Sequence, residues 1–159
     1  MIVEASELFT LTAPPDHAAA LAFLRDPARS LARVRFLRDV QVGGAQVRGV
    51  LAVQLPMVGE VTLPFFSVLE NTESGARLIP QGLQNERAWL EVAGEGKLSG
   101  PLLELEYAFV FRAHLSIPTA EKWGGSAFEK MVQAAASRTM ARVTQELPKA
   151  LAAALAEVS

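Results

Sequence analysis

From Leu103 to Leu115 the chain alternates. Leu103, Leu105, Tyr107, Phe109, Phe111, Ala113 and Leu115 share one side, while Glu104, Glu106, Arg112, His114 and Ser116 share the other. A period of two sends successive side chains to opposite faces, so Leu102 to Ser116 is predicted as one long strand. One face is buried and the other wet, which is the mark of an antiparallel sheet. A slip of one residue would bury Glu104 and Glu106, so the register is well specified. Soon afterwards the period changes. Phe128, Met131, Val132, Ala135, Val143, Leu147, Leu151, Leu155 and Val158 recur at helical spacing, opposite Lys130, Arg138, Arg142, Gln145 and Lys149. A sheet apolar on one face and a helix apolar on one stripe bury those surfaces against each other.

The remaining elements follow from period and punctuation. Ser126 and Glu129 form a capping-box pattern at the start of the long helix,. Pro148 is expected to kink or split it after a run of about 33 Å. Val3, Ala5, Phe9 and Leu11 alternate in a first strand from Ile2 to Thr12, with Glu7 interrupting the apolar face. Pro14, Pro15 and Asp16 open a helix over Ala18 to Leu24, which Pro27 breaks; a short helical turn from Ala28 to Ala32 follows. Arg33 to Val42, Val47 to Leu55, Val61 to Glu70, Ala76 to Pro80 and Ala88 to Ala93 read as strands, with Gly43-Gly44 as a hairpin turn,. Pro64 marks an edge or a bulge, and the stretch containing Gly94, Gly96 and Gly100 reads as a loop or bulge. The fold class is α+β: about seven antiparallel strands, one or two short helices after the first, and a long C-terminal helix. Residues 1–159 are expected to form a single domain.

Composition narrows the function. There is no cysteine among 159 residues, which excludes disulfides and thiol chemistry, and only two histidines and one tyrosine are present,. Neither His17 nor His114 has a partner at metal-ligand spacing, so no metal site and no cofactor is expected. The formal net charge of -2 supplies no field for nucleic acid,. No basic and apolar leader begins the chain, and no uncharged run approaches the ~20 residues that span a bilayer, so a cytoplasmic, not membrane-spanning protein is expected. The charge is uneven: residues 25–48 hold six arginines against two aspartates, and residues 60–106 hold eight glutamates against three cations. That basic stretch reads as a solvated surface or as a site for an anion or protein partner, with Arg25, Arg29 and Arg33 the candidates.

Catalytic motifs are not found. Gly94-x-Gly96-x-x-x-Gly100 is neither a dinucleotide fingerprint nor a phosphate loop, and a strand follows it. No G-x-S-x-G elbow exists, and His114 and the Glu104/Glu106 pair lie on the wet face of their strand,. Period two sends Arg38 inward with Phe36, Val40 and Val42, where it would need an acidic or anionic partner; a bulge would turn it outward instead. Trp89 and Trp123 are read as core or helix-end packing. Met131 and Met140 suit a core or a cavity for apolar ligands.

Thr12-Ala13-Pro14-Pro15-Asp16 leading to Ala22-Phe23-Leu24, and the Asp26-Pro27 break in Leu24-Arg25-Asp26-Pro27-Ala28-Arg29, resemble the START-like helix-grip superfamily. Within it the similarity is to polyketide cyclases and to proteins like the accessory subunit of carbon monoxide dehydrogenase. Val34-Arg35-Phe36 stands where that family commonly has Pro-Gly or Trp. The resemblance implies a curved sheet wrapped around the C-terminal helix, with a cavity between them for a lipid, polyketide or other apolar molecule. Physics leaves open whether that interior is hollow or filled. The resulting expectation is non-catalytic binding of an apolar small molecule or lipid, with Phe36, Arg38, Phe65, Tyr107, Phe109, Met131 and Met140 as ligand-binding residues and Tyr107 as the polar handle. An accessory or maturation role through protein contacts is the alternative, and a cyclase or hydrolase-type enzyme using Arg38 and Tyr107 the third reading.

Overall fold

The computed structural model describes residues 1–83, 85–101, 103–116 and 125–158. Its elements run β1 (Ile2–Thr12), α1 (His17–Leu24), α2 (Pro27–Ser30), β2 (Leu37–Gly43), β3 (Gln46–Leu55), β4 (Gly59–Asn71), β5 (Gly75–Pro80), β6 (Ala88–Ser99), β7 (Glu104–Leu115) and α3 (Ser126–Ala156). The strands form a seven-stranded antiparallel sheet in the order β1-β7-β6-β5-β4-β3-β2. Strands β2 to β7 pair each with the next in sequence, and β1 returns to pair with β7, so Val3 lies opposite Ala113 and Phe9 opposite Tyr107. The curved sheet turns its apolar face onto α3, and the alternation of β7 comes out as expected: Leu105, Tyr107, Phe109, Phe111, Ala113 and Leu115 are buried.

Local chemistry accounts for the short helices. Asp16 accepts the Ala18 N–H on its carboxylate at 3.1 Å, and Asp26 accepts that of Arg29 at 3.3 Å, each satisfying a donor that the first helical turn leaves over,. Pro27 takes the first position of α2, where no N–H is needed,. α1 is anchored by Ala20 and Phe23, both 0% exposed.

Three expectations are corrected. Ser126 is not the cap of α3; Gly125 is, at φ 58, with no side-chain cap bond, and Ser126 is already helical. A positive φ there suits glycine, which has no Cβ to clash. Pro148 does not split α3, which runs unbroken to Ala156. The buried Leu147 and Leu151 on either side of Pro148 hold the turn against the sheet despite the missing N–H,. Gly94 and Gly96 are not in a loop but inside β6. Pro64, by contrast, behaves as a local edge: it pairs with Val50 of β3, and the β5 pairing begins only at Ser67,. Trp123 and the Leu102 end of the predicted strand lie outside the described residues.

Candidate functional site

The inner face of β7 carries a row of aromatic rings. Tyr107 and Phe109 have centroids 5.9 Å apart, Phe109 and Phe111 6.1 Å, and Phe9 of β1 stacks on Tyr107 at 5.1 Å. The neighbouring strand makes room for them. The register sets Gly94 opposite Phe109 and Gly96 opposite Tyr107. A Cβ on Gly94 would stand 2.7 Å from the Phe109 ring, and one on Gly96 2.8 Å from Tyr107 and from Leu24. The rings lie over strand backbone that lacks side chains, so glycine here is required by packing, not by a turn.

Tyr107 ends this row in the molecule's interior. Its side chain is buried, and its hydroxyl has no hydrogen-bond partner among the described residues. Burial pushes the phenol well above the usual tyrosine range, so it remains a protonated donor,. Beside it, between the sheet, α2 and α3, lies a cavity of about 30 Å3 lined by Leu24, Pro27, Ser30, Leu31, Gly94, Gly96, Tyr107, Phe109 and Leu151, among others. That volume suits about one water molecule. Ser30, a buried polar residue, faces the same space. The space beside Tyr107 is therefore a small hollow, and a separate recess of about 320 Å3 lies between α2 and the inner face of β2, lined by Pro27, Leu31, Val34, Leu37, Val40 and Val42 among others. A larger recess of about 530 Å3 opens where β1, β7 and β6 meet, lined by Leu8, Phe9, Thr10, Glu95, Lys97, Glu106, Tyr107 and Ala108. Lys97 and Glu106 already pair there at 3.7 Å, and most of its lining, Leu8, Thr10, Glu95, Lys97, Glu106 and Ala108, belongs to the outer positions of β1, β6 and β7. Tyr107 lines both spaces, and the inner cavity, which adds the buried Ser30 and apolar side chains from all three helices, is the better candidate,.

Of the residues expected at the site, the structure brings Tyr107 and Phe109 to the cavity. Phe36 is half-buried and meets Phe111 edge-on at 6.4 Å, farther along the aromatic row. Phe65 is buried on β4 over Gly49, and Met140 is buried on α3. Met131 is not interior: it is 51% exposed, in a surface groove with Gln54, Pro56 and Arg138. Arg38 also lies outside, paired with Glu60 at 2.9 Å. A bulge between Arg38 and Gln41, with Asp39 at φ 54, places both Arg38 and Asp39 outward and returns Val40 to the inner side,.

The arginine-rich segment is largely engaged within the chain. Arg25 donates from Nη2 to the Thr72 carbonyl at 2.7 Å and from Nε to the Gly75 carbonyl at 3.1 Å, joining the α1–α2 corner to the β4–β5 turn. Arg33 pairs with Glu157, and the Arg48 guanidinium sits 3.8 Å over the Phe66 ring. Arg29 is exposed. On the outer face Glu91 bonds His114 at 2.7 Å, and Trp89 stacks on the imidazole at 4.0 Å, so Trp89 is not core. No group of acidic, His or Cys side chains that could hold a metal ion occurs among the described residues, and no helix among them is long and apolar enough to cross a membrane.

Sequence reasoning missed Ser30, Leu24, Leu151 and the two glycines. A signal for the glycines existed, because Gly94-x-Gly96 and Tyr107-x-Phe109 share a period of two. It becomes meaningful only once the strands are in register.

Two solved structures show the same fold at low identity. TTHA0849 from Thermus thermophilus is 16% identical with a TM-score of 0.54, the alignment covering 99% of each chain. The ZhuI aromatase/cyclase from Streptomyces sp. R1128 is 13% identical with a TM-score of 0.53, covering 99% of this chain and 94% of that one. These likenesses support the helix-grip architecture. No curated protein matches in sequence. A family model described as "Protein of unknown function (DUF3809)" matches residues 8–145. With most of its length inside that match, the chain belongs to the DUF3809 family.

Proposed function

We propose that this protein binds a flat, mostly apolar small molecule carrying a hydrogen-bond acceptor, in the interior between sheet and α3, without transforming it. The observation that carries this reading is the buried Tyr107 hydroxyl, which has no partner among the described residues. A buried polar group left unpaired costs about 1–3 kcal/mol, and a ligand acceptor would recover that cost. The aromatic row beside it offers stacking surface for a planar partner,. Binding without catalysis fits the chemistry, since general acid–base work favours a pKa near the working pH and burial moves Tyr107 away from it,. Similarity in fold to an aromatase/cyclase agrees with a small-molecule site and says nothing of turnover here. A protein-partner reading through Arg25, Arg29 and Arg33 has less support, because Arg25 and Arg33 are held by contacts within the chain.

Calorimetric titration with 2-naphthol, and with decanoate as a flexible apolar control, tests the reading. Micromolar binding of 2-naphthol that weakens about tenfold in Tyr107→Phe, with decanoate far weaker, is expected. Absence of binding by 2-naphthol, or equal affinity in Tyr107→Phe, would falsify it.

A further inference from the structure

The cavity beside Tyr107, at about 30 Å3, admits about one water and no molecule of several heavy atoms,. If the site binds a planar ligand, part of its wall must move. The sheet side is fixed by continuous ladders through β5, β6 and β7. On the helical side, α1 is anchored by Ala20 and Phe23, both 0% exposed. α3 contributes Leu151, 1% exposed within a 31-residue helix, and the remaining wall is α2, a helix of four residues whose Pro27 and Ser30, together with Leu31, roof the cavity. One turn of helix does not sustain itself without tertiary contacts. Arg25 stands where α1 ends and α2 has not begun, and it fastens that corner to the carbonyls of Thr72 and Gly75. The turn it grips belongs to the cavity's surroundings. Gly75 lies so close to β6 that a Cβ there would meet the Gly96 carbonyl oxygen at 1.9 Å, and Gly96 is the residue beneath Tyr107.

We infer that Arg25 is a latch controlling access to the Tyr107 site: α2 lifts from the sheet about the Arg25–Asp26 joint, and release of the Thr72 and Gly75 carbonyls accompanies opening. The inference rests on the binding reading for its purpose but not for its motion. The latch stabilises the closed form, so it lowers the fraction of molecules able to admit a ligand, and apparent affinity falls by that fraction.

Hydrogen exchange of the ligand-free protein and stopped-flow binding of 2-naphthol test this with Arg25→Gln and Arg25→Lys. In Arg25→Gln the amides of Ser30 and Leu31 are expected to exchange about tenfold faster, and those of β7 to change less than twofold. The association rate for 2-naphthol should rise by a similar factor with a dissociation rate within threefold of the wild type. Arg25→Lys, which keeps the charge and can reach one of the two carbonyls but lacks the fork that spans both, should fall between,. Unchanged exchange at Ser30 and Leu31 in Arg25→Gln overturns the latch. Should Arg25→Gln exchange faster throughout the molecule, Arg25→Lys decides by the same criterion. A wild-type protein that fails to bind 2-naphthol removes the binding reading, while the exchange result still decides the motion.

Discussion

Tyr107 is the one tyrosine of the chain, which makes its ionisation directly observable. Burial favours the neutral phenol, so the folded protein holds this proton more tightly than the unfolded chain does,. The unfolded chain loses it first, near the ordinary value of 10.0, and stability therefore falls as pH rises beyond that point,. Absorbance at 295 nm should show no phenolate at pH 11 in the folded protein, with ionisation appearing together with alkaline unfolding. A normal titration near pH 10 with the fold intact would show that the ring is accessible to water. The two methionines offer a contrast at the same scale. Met140 is 1% exposed and Met131 51%. Met140→Ala is expected to cost about 2–5 kcal/mol in denaturant unfolding and Met131→Ala less than about 0.5 kcal/mol. Their sequence contexts look alike, because helical spacing assigns a broad stripe and not the line where that stripe meets solvent.

At the level of elements, the fit between β6 and β7 is a pairing of absent and large side chains. Gly94→Ala puts a methyl 2.7 Å from the Phe109 ring and should destabilise by about 1–3 kcal/mol,. Combined with Phe109→Leu the cost should be less than the sum of the two single changes, measured as a double-mutant cycle in urea. This contact also shows where sequence reading stops. The period-two face of β7 and the helical stripe of α3 are legible because each is repeated over many residues. Gly94 and Gly96 read as a loop because glycine lowers strand propensity locally, and the rings that need the space lie on another strand. Parity assigns Arg38 to the inner face, and one extra residue at Asp39 reverses parity. Ser126 looks like a cap because its type and spacing fit, whereas Gly125 takes the position through its backbone angle. The Arg25 contacts reach 47 and 50 residues along the chain, beyond any local pattern.

Considered as a whole molecule, the sheet is a meander with one exception: β1 pairs with β7, while β2 to β7 each follow their neighbour in sequence. The β2-to-β7 pairings need only short connections and close early, whereas joining β1 to β7 closes a loop over nearly the whole sheet and is slow by comparison. The meander also separates the two edges, β1 and β2, by the full width of the sheet.

The placement of β1 has a consequence during synthesis. A ribosome adding about 5–20 residues per second takes about 5–20 s to make residues 13–103, which separate β1 from its partner strand,. Through that interval β1 waits with Val3, Phe9 and Leu11 uncovered, and an uncovered apolar strand is an aggregation hazard. Glu7 lies on the same side, opposite Phe109 in the finished sheet, where an apolar residue would match its neighbours. A charge there weakens association of waiting strands with one another. In cell-free translation Glu7→Val is expected to lower the fraction of product left in solution after centrifugation, even where the purified variant is as stable as the parent. An unchanged fraction would remove that role and leave Glu7 as an unexplained interruption of the inner face. The residue that spoils the pattern of the first strand is, on this account, its protection until the last strand arrives.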